Sequence, residues 1–118
     1  MQNITPQLSV LINALEDIKA SHISIIDVRN QTTITDYMII CSGRASRHVK
    51  AIANHIIPVM KKSGFSVSHL SGVDSGEWIL VDLDDCILHI MIPETRDFYN
   101  IEGLWQDKIN INEKVSPA

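Results

Sequence analysis

The sequence has few aromatic residues, few cysteines and no long apolar run. Its 118 residues include only two each of Trp, Tyr, Phe and Cys. No stretch approaches the roughly 18–20 consecutive apolar residues that a membrane helix needs, and no basic segment precedes an apolar block near Met1. We therefore expect neither a membrane span nor a secretory signal.

The two cysteines, Cys41 and Cys86, each lie inside an apolar run. Buried free thiols are typical of a reducing compartment, so we predict a cytoplasmic protein. A cysteine nucleophile would be exposed and activated, whereas Cys41 lies mid-strand without a His–Asn partner pattern. The sequence therefore predicts no catalytic cysteine.

The charge balance is mildly acidic, with 14 Asp or Glu, 10 Lys or Arg and a net charge of −4. Phosphate neutralisation needs clustered Lys and Arg, so this balance argues against nucleic acid as the main partner and against sequence-specific binding to it. An acidic protein can instead dock on a basic one. No repeat or Gly/Ser-rich linker divides the chain, which predicts one domain over residues 1–118 with a frayed tail from about residue 107.

Hydrophobic periodicity predicts the element order α-β-β-α-β-β-β-α. Thr5 and Pro6 have the residue types of a helix N-cap and first turn. Pro58 should kink or weaken the end of the second helix. The fold class is α/β, a mixed five-stranded sheet flanked by helices. Predicted helices cover about residues 6–21, 43–63 and 94–105, and predicted strands cover 23–28, 37–41, 65–70, 77–81 and 86–92.

One pattern suggests catalysis. Asp82 and Asp84 could hold Mg²⁺ against phosphates if both lay on one strand face. Ser42-Gly43 before a helix could cradle a phosphate. However, Asp also favours the hairpin turn expected here. We predict that the chain is not an enzyme and needs no cofactor, with a metal-dependent nucleotidyltransferase using Asp82 and Asp84 as the alternative. The basic residues beside the phosphate cradle would be Arg44, Arg47 and Lys50.

The five histidines do not form a recognisable zinc pattern. His48 and His55 are seven residues apart on one helix, so they make no i, i+4 pair. His69 and His89 could meet across strands, but a third ligand is missing. We predict no metal site and a half-buried, hydrogen-bonded His89.

Residues 93–105 combine acids with Phe98, Tyr99 and Trp105. Two interpretations stay open: a terminal helix packing Phe98 and Trp105 on the sheet, or a surface that binds a partner. Neighbouring helix residues point about 100° apart, so if Phe98 faces the core, Tyr99 faces solvent. We predict Trp78 and Tyr99 as binding hot spots, with Glu94 and Asp97 supplying charge complementarity.

Three blocks of the sequence resemble the ribosome silencing factor (Iojap-like) family, from about Leu11 to Trp105. The resemblance implies an α/β fold similar to nucleotidyltransferases without their catalytic residues. It also implies binding to the large ribosomal subunit through ribosomal protein L-fourteen, a block on small-subunit joining and so repressed translation, and a possible homodimer when free. The blocks are TDYMIICSGRASRHVKAIA, GEWILVDLDDCILHIMIP and PETRDFYNIEGLW.

The resemblance also assigns residues to the partner surface. Three positions depart from the family's usual pattern: Ile92, Asn100 and Gly103. They bear on the fine specificity of the last helix. The matching positions are Trp78, Pro93, Glu94, Phe98, Tyr99 and Trp105, with Asp82 and His89 nearby.

Overall fold

A computed structural model describes residues 5–105 and 108–109. Thr5 caps the first helix as predicted, because its Oγ1 accepts a hydrogen bond from the Leu8 N–H at 3.2 Å. The helices are α1 (Pro6–Asp17), α2 (Ser46–Lys62), α3 (Pro93–Tyr99) and a 3₁₀ helix (Ile101–Leu104). The strands are β1 (Ser21–Asp27), β2 (Tyr37–Ser42), β3 (His69–Ser71), β4 (Trp78–Asp82), β5 (Cys86–Met91) and β6 (Lys108–Ile109).

The strands form one mixed sheet in the order β3-β4-β5-β2-β1-β6. The central pair, β2 and β5, is parallel, and the other pairs are antiparallel. The five predicted strands are all present, which confirms the α/β class. A sixth strand, Lys108–Ile109, was not predicted; it pairs with β1 and lies in the segment expected to be a frayed tail. Residues 110–118 lie outside the described part of the chain.

The sheet has two different faces. Side chains alternate between the faces along each strand. On the first face, α1 and α2 cover a large apolar core that includes Leu11, Ile52 and Leu88. The second face holds a smaller buried cluster, against which Met38, Trp78, Ile101 and Trp105 pack with partial exposure. That smaller cluster consists of Ile26, Val28, Ile40 and Met91.

Three predicted boundaries are corrected. The third strand begins at His69 rather than at residue 65. Phe65 and Val67 give the segment a strand-like alternation because their side chains pack on the core, but the segment is not a strand. Helix α1 ends at Asp17, four residues before the expected end. Helix α2 begins at Ser46 rather than at residue 43, and it runs through the exposed Pro58 to Lys62 because the buried Met60 anchors its last turn to the core.

Candidate functional site

An aromatic cluster forms where β4 begins and α3 ends. The Trp78 indole Nε1–H donates a hydrogen bond of 3.0 Å to His89 Nδ1. The Tyr99 ring lies 5.0 Å from the Trp78 ring, and the Phe98 ring meets Tyr99 edge-on at 4.9 Å. We call Trp78, Phe98 and Tyr99 the aromatic patch. It brings together both predicted hot spots, which lie 21 residues apart in the sequence.

His89 supports this patch from below. It is only 6% exposed, so it is buried and not half-buried as predicted. Burial lowers the pKa of His89 to about 4, which keeps the imidazole neutral at physiological pH. A neutral ring with Nδ1 as acceptor carries its proton on Nε2, and that nitrogen has no partner among the described residues. His89 therefore positions Trp78 and exposes little surface of its own.

The orientation of α3 differs from the expected one. Phe98 is 78% exposed and Tyr99 is 54% exposed, so Phe98 does not face the core. The helix has seven residues and buries none of them. Its inward side chain is Arg96, whose side chain is 11% exposed. The prediction that Tyr99 faces solvent holds, but for a different reason: a polar side chain occupies the inward side of the helix.

Arg96 holds α3 against the sheet through charged and polar contacts. Its Nε and Nη2 donate to the two carboxylate oxygens of Glu102 at 2.9 and 2.8 Å. Its Nη1 donates to Ser42 Oγ at 2.8 Å, and Nη2 also contacts Ser24 Oγ at 3.3 Å. A bidentate Arg–carboxylate pair fixes the relative orientation of its two side chains and also stabilises their contact. Sequence analysis missed this residue, because a single Arg in a charged segment gives no signal of burial.

The exposed side of the patch borders an acidic groove. A cleft of about 400 Å³ has polar and apolar walls, and its lining includes Glu94 on α3 and Glu77 on the loop before β4. A basic side chain entering it would meet two carboxylates beside aromatic rings. The other lining residues are Ile92, Thr95, Phe98 and Tyr99.

The remaining predicted residues lie around this centre at different distances. Trp105 is partly buried and packs on the smaller cluster, as the core interpretation expects. Pro93 begins α3 and is exposed, and Asp97 lines a separate cleft with Pro93 and Arg44. Asp82 ends β4, four residues from Trp78, which corresponds to about 13 Å along a strand. The structure therefore separates Asp82 and Asp97 from the acidic groove.

The geometry of Asp82 and Asp84 agrees with the turn interpretation. Asp82 Oδ1 accepts a hydrogen bond from the Asp84 N–H at 2.9 Å, and Asp84 has a left-handed φ of 70°. Asp82 is the last residue of β4 and Asp84 lies in the turn, so the two carboxylates do not project from the same face of one strand. Within residues 5–105, no three His, Cys, Asp or Glu side chains come together as metal ligands would.

The other chemical candidates take structural positions. Cys41 and Cys86 are buried free thiols, and burial raises the pKa of each to about 12. His48 joins two helices, because its Nδ1 accepts from the Arg44 N–H at 2.9 Å and its Nε2 lies 2.9 Å from the Ile18 carbonyl oxygen. None of the described helices is long and apolar enough to cross a membrane.

Sequence analysis also missed three partly exposed apolar residues on the second face. Register places Leu80 opposite His89 and Ile87 opposite Met38. Leu80 alternates with Trp78, so it shares that residue's side of the sheet. The alternation of apolar residues along β4 could have predicted that Leu80 lies on the same face as Trp78. Only the strand order shows that Leu80, Ile87 and Met38 extend this apolar surface across the sheet.

Fold and patch together define the class: a small α/β protein whose second sheet face carries a surface typical of contacts between macromolecules. A family model described as "Ribosomal silencing factor during starvation" matches residues 1–118. The ribosomal silencing factor of Chromobacterium violaceum is 43% identical over 94 residues, covering 80% of this chain and 77% of that protein. The Haemophilus influenzae protein of the same name is 42% identical over 95 residues, covering 80% and 93%. This chain belongs to the ribosomal silencing factor family, as its sequence blocks predicted.

Solved structures agree with this assignment. A crystal structure of a Chromobacterium violaceum protein superposes with a TM-score of 0.84 at 39% identity, covering 88% of this chain and 87% of that one. A Bacillus halodurans structure gives a TM-score of 0.78 at 29% identity, covering 86% and 94%. Membership implies ribosome-associated regulation of translation. The likeness to nucleotidyltransferases stays a prediction.

Proposed function

We propose that this protein binds the large ribosomal subunit through ribosomal protein L-fourteen and thereby blocks joining of the small subunit. The observation that carries the proposal is the aromatic patch beside the acidic groove. Phe98 and Tyr99 are the two exposed aromatic residues among those described, and they are adjacent. Large exposed rings next to two acids that form no ion pair with another described residue match a partner with an apolar spot and basic side chains.

The patch is organised for binding before a partner arrives. The His89 hydrogen bond orients Trp78, and the Arg96–Glu102 pair holds the helix that carries Tyr99. A surface with fixed side chains loses less conformational entropy on association. The proposed effect on translation is steric and uses no bound nucleotide. As the resemblance implies, we also expect the free chain to form homodimers, which analytical ultracentrifugation can test.

The test is a subunit association assay. Purified large and small subunits are mixed with increasing amounts of the protein, and joined ribosomes are measured by sucrose-gradient sedimentation without nucleotide. We expect the wild-type protein to sediment with large subunits and to reduce the joined fraction. The Phe98→Ala variant should inhibit less, whereas Ile34→Ala should act like wild type, because Ile34 is also 78% exposed but lies in the β1–β2 loop. Unchanged subunit joining at saturating wild-type protein would refute the proposal.

The absence of an enzymatic role belongs to the same proposal. We expect no Mg²⁺-dependent nucleotide turnover above background, either for wild type or for Asp82→Asn combined with Asp84→Asn. A turnover that this double substitution abolishes would favour the nucleotidyltransferase alternative instead.

A further inference from the structure

Charge is unevenly distributed along this acidic chain. Residues 37–73 contain five Lys or Arg and no Asp or Glu, while the rest of the chain carries all 14 acids. The net charge of −4 therefore conceals a cationic segment. Its basic residues are Arg44, Arg47, Lys50, Lys61 and Lys62.

Helix α2 carries four of these five cations: Arg47, Lys50, Lys61 and Lys62. Positions 47, 50, 54, 58 and 61 recur every three or four residues, so they lie on one side of the helix. All five are exposed or partly exposed, while Val49, Ile52 and Ile56 are buried on the other side. From Arg47 to Lys61 the ridge runs about 21 Å, at about 1.5 Å per residue. We call Arg47, Lys50, Lys61 and Lys62 the cationic ridge.

The ridge cations are not neutralised within the described ranges. None of them lies within 4.0 Å of a carboxylate there, whereas Arg29 pairs with Asp27 and Arg96 pairs with Glu102. Two acids line clefts at the start of the helix: Asp17 lies in a cleft with Arg44 and Arg47, and Asp97 lies in another with Arg44. The next cleft, between Arg47 and Asn54, has no acid in its lining.

We infer that the cationic ridge binds the phosphate backbone of RNA without reading its base sequence. When a row of Lys and Arg side chains contacts a polyphosphate, counterions are released from it. This release provides most of the free energy of binding that does not depend on base sequence. A membrane surface fits less well, because interfacial helices insert an apolar face and that of α2 is buried in the core. RNA is the polyphosphate that a ribosome-associated protein meets. Since the ridge lies on the side of the sheet covered by α2, it is separate from the aromatic patch.

A direct binding assay tests this inference. The probe is a fluorescent RNA duplex of arbitrary sequence, titrated with the full chain at several salt concentrations. We expect wild type to bind at low salt, and a variant with Arg47, Lys50, Lys61 and Lys62 all changed to Gln to bind at least about tenfold more weakly. Gln is a good helix former, so the variant should fold, and circular dichroism checks this.

Two matched single substitutions distinguish the loss of a charge on the ridge from the same loss of charge elsewhere on the protein. Arg47→Gln and Arg29→Gln each remove one exposed arginine. We expect Arg47→Gln to reduce the slope of log affinity against log salt by about one, and Arg29→Gln to leave it unchanged. Equal effects of the two, no wild-type binding at low salt, or binding to phosphatidylserine vesicles without binding to RNA would each overturn the inference. Because the probe is isolated RNA, the result does not depend on docking through the aromatic patch.

Discussion

The two faces of the sheet use the same strands for different purposes. The first face is sealed by α1 and α2, and its central residues Ile52, Ile79 and Leu88 have no exposed surface. The second face is only partly covered, with Trp78 and Met38 partly exposed above the smaller cluster. The difference suggests that the first face provides most of the folding free energy. The second face leaves apolar side chains exposed, and a partner can bury them. Substitutions on the two faces should therefore affect different measurements.

The largest expected effect is on the first face. Ile52→Ala removes a fully buried side chain between α2 and the sheet. We expect it to lower the free energy of unfolding by about 2–5 kcal/mol, from lost burial and the cavity left behind. Urea unfolding measures this, with Asn54→Ala on the exposed side of the same helix as the control, expected within about 0.5 kcal/mol of wild type. A similar loss in both variants would contradict the assignment of α2's buried side.

The second effect is a pH dependence from the second face. The folded-state pKa of His89 is about 4, below its ordinary value of 6.5. As the pH falls below 6.5, His89 becomes protonated in the unfolded chain but stays neutral in the folded chain. The stabilisation is therefore complete above pH 6.5 and is lost between pH 6.5 and about 4, amounting to about 3 kcal/mol.

Its control is His89→Asn, which does not titrate and can still accept from the Trp78 indole through its amide oxygen. Unfolding free energies of both proteins are compared across that pH range. We expect the variant to show a shallower decline, and identical declines would mean that other groups cause the acid sensitivity.

The third effect concerns binding without unfolding. Tyr99→Ala should weaken large-subunit binding by about 2 kcal/mol or more, roughly thirtyfold, because an exposed ring next to Trp78 would be buried by the partner. Thermal unfolding should change little, since α3 buries none of its residues. Ile34→Ala is the exposed apolar control at the other end of β2. A folded Tyr99→Ala protein with wild-type affinity would exclude this part of the patch from docking.

The smallest effect concerns charge. Glu94→Gln should slow association and weaken its salt dependence, costing less than about 1 kcal/mol, because exposed charges steer encounter more than they hold a complex. Glu16→Gln, an exposed substitution on α1, is the matched control. Asp97→Asn should do less than Glu94→Gln, because Asp97 lies outside the acidic groove. Stopped-flow association rates at two salt concentrations test this order.

Much of the fold was predictable from local patterns. Five apolar strands, the cap at Thr5 and the buried stripe of α2 all follow from spacings within a few residues. The short β3 was placed too early, because a segment that packs on a core can alternate like a strand. Composition indicated a partner surface in residues 93–105, which stays a prediction, but it did not reveal His89 and Arg96, the residues that support the aromatic patch.

What the sequence by itself determined was the helices, the first five strands and the family, because these depend on residue spacing and block order along the chain. What only the tertiary structure decided was the orientation of α3, the burial of His89 and the continuity of the patch with Leu80. Helix α3 is too short for its periodicity to define a buried side. Its orientation comes from Arg96, whose contacts reach Ser42 and Ser24, 54 and 72 residues away. Contacts between residues so distant in sequence leave no local pattern, so they become visible only when the strands are assembled.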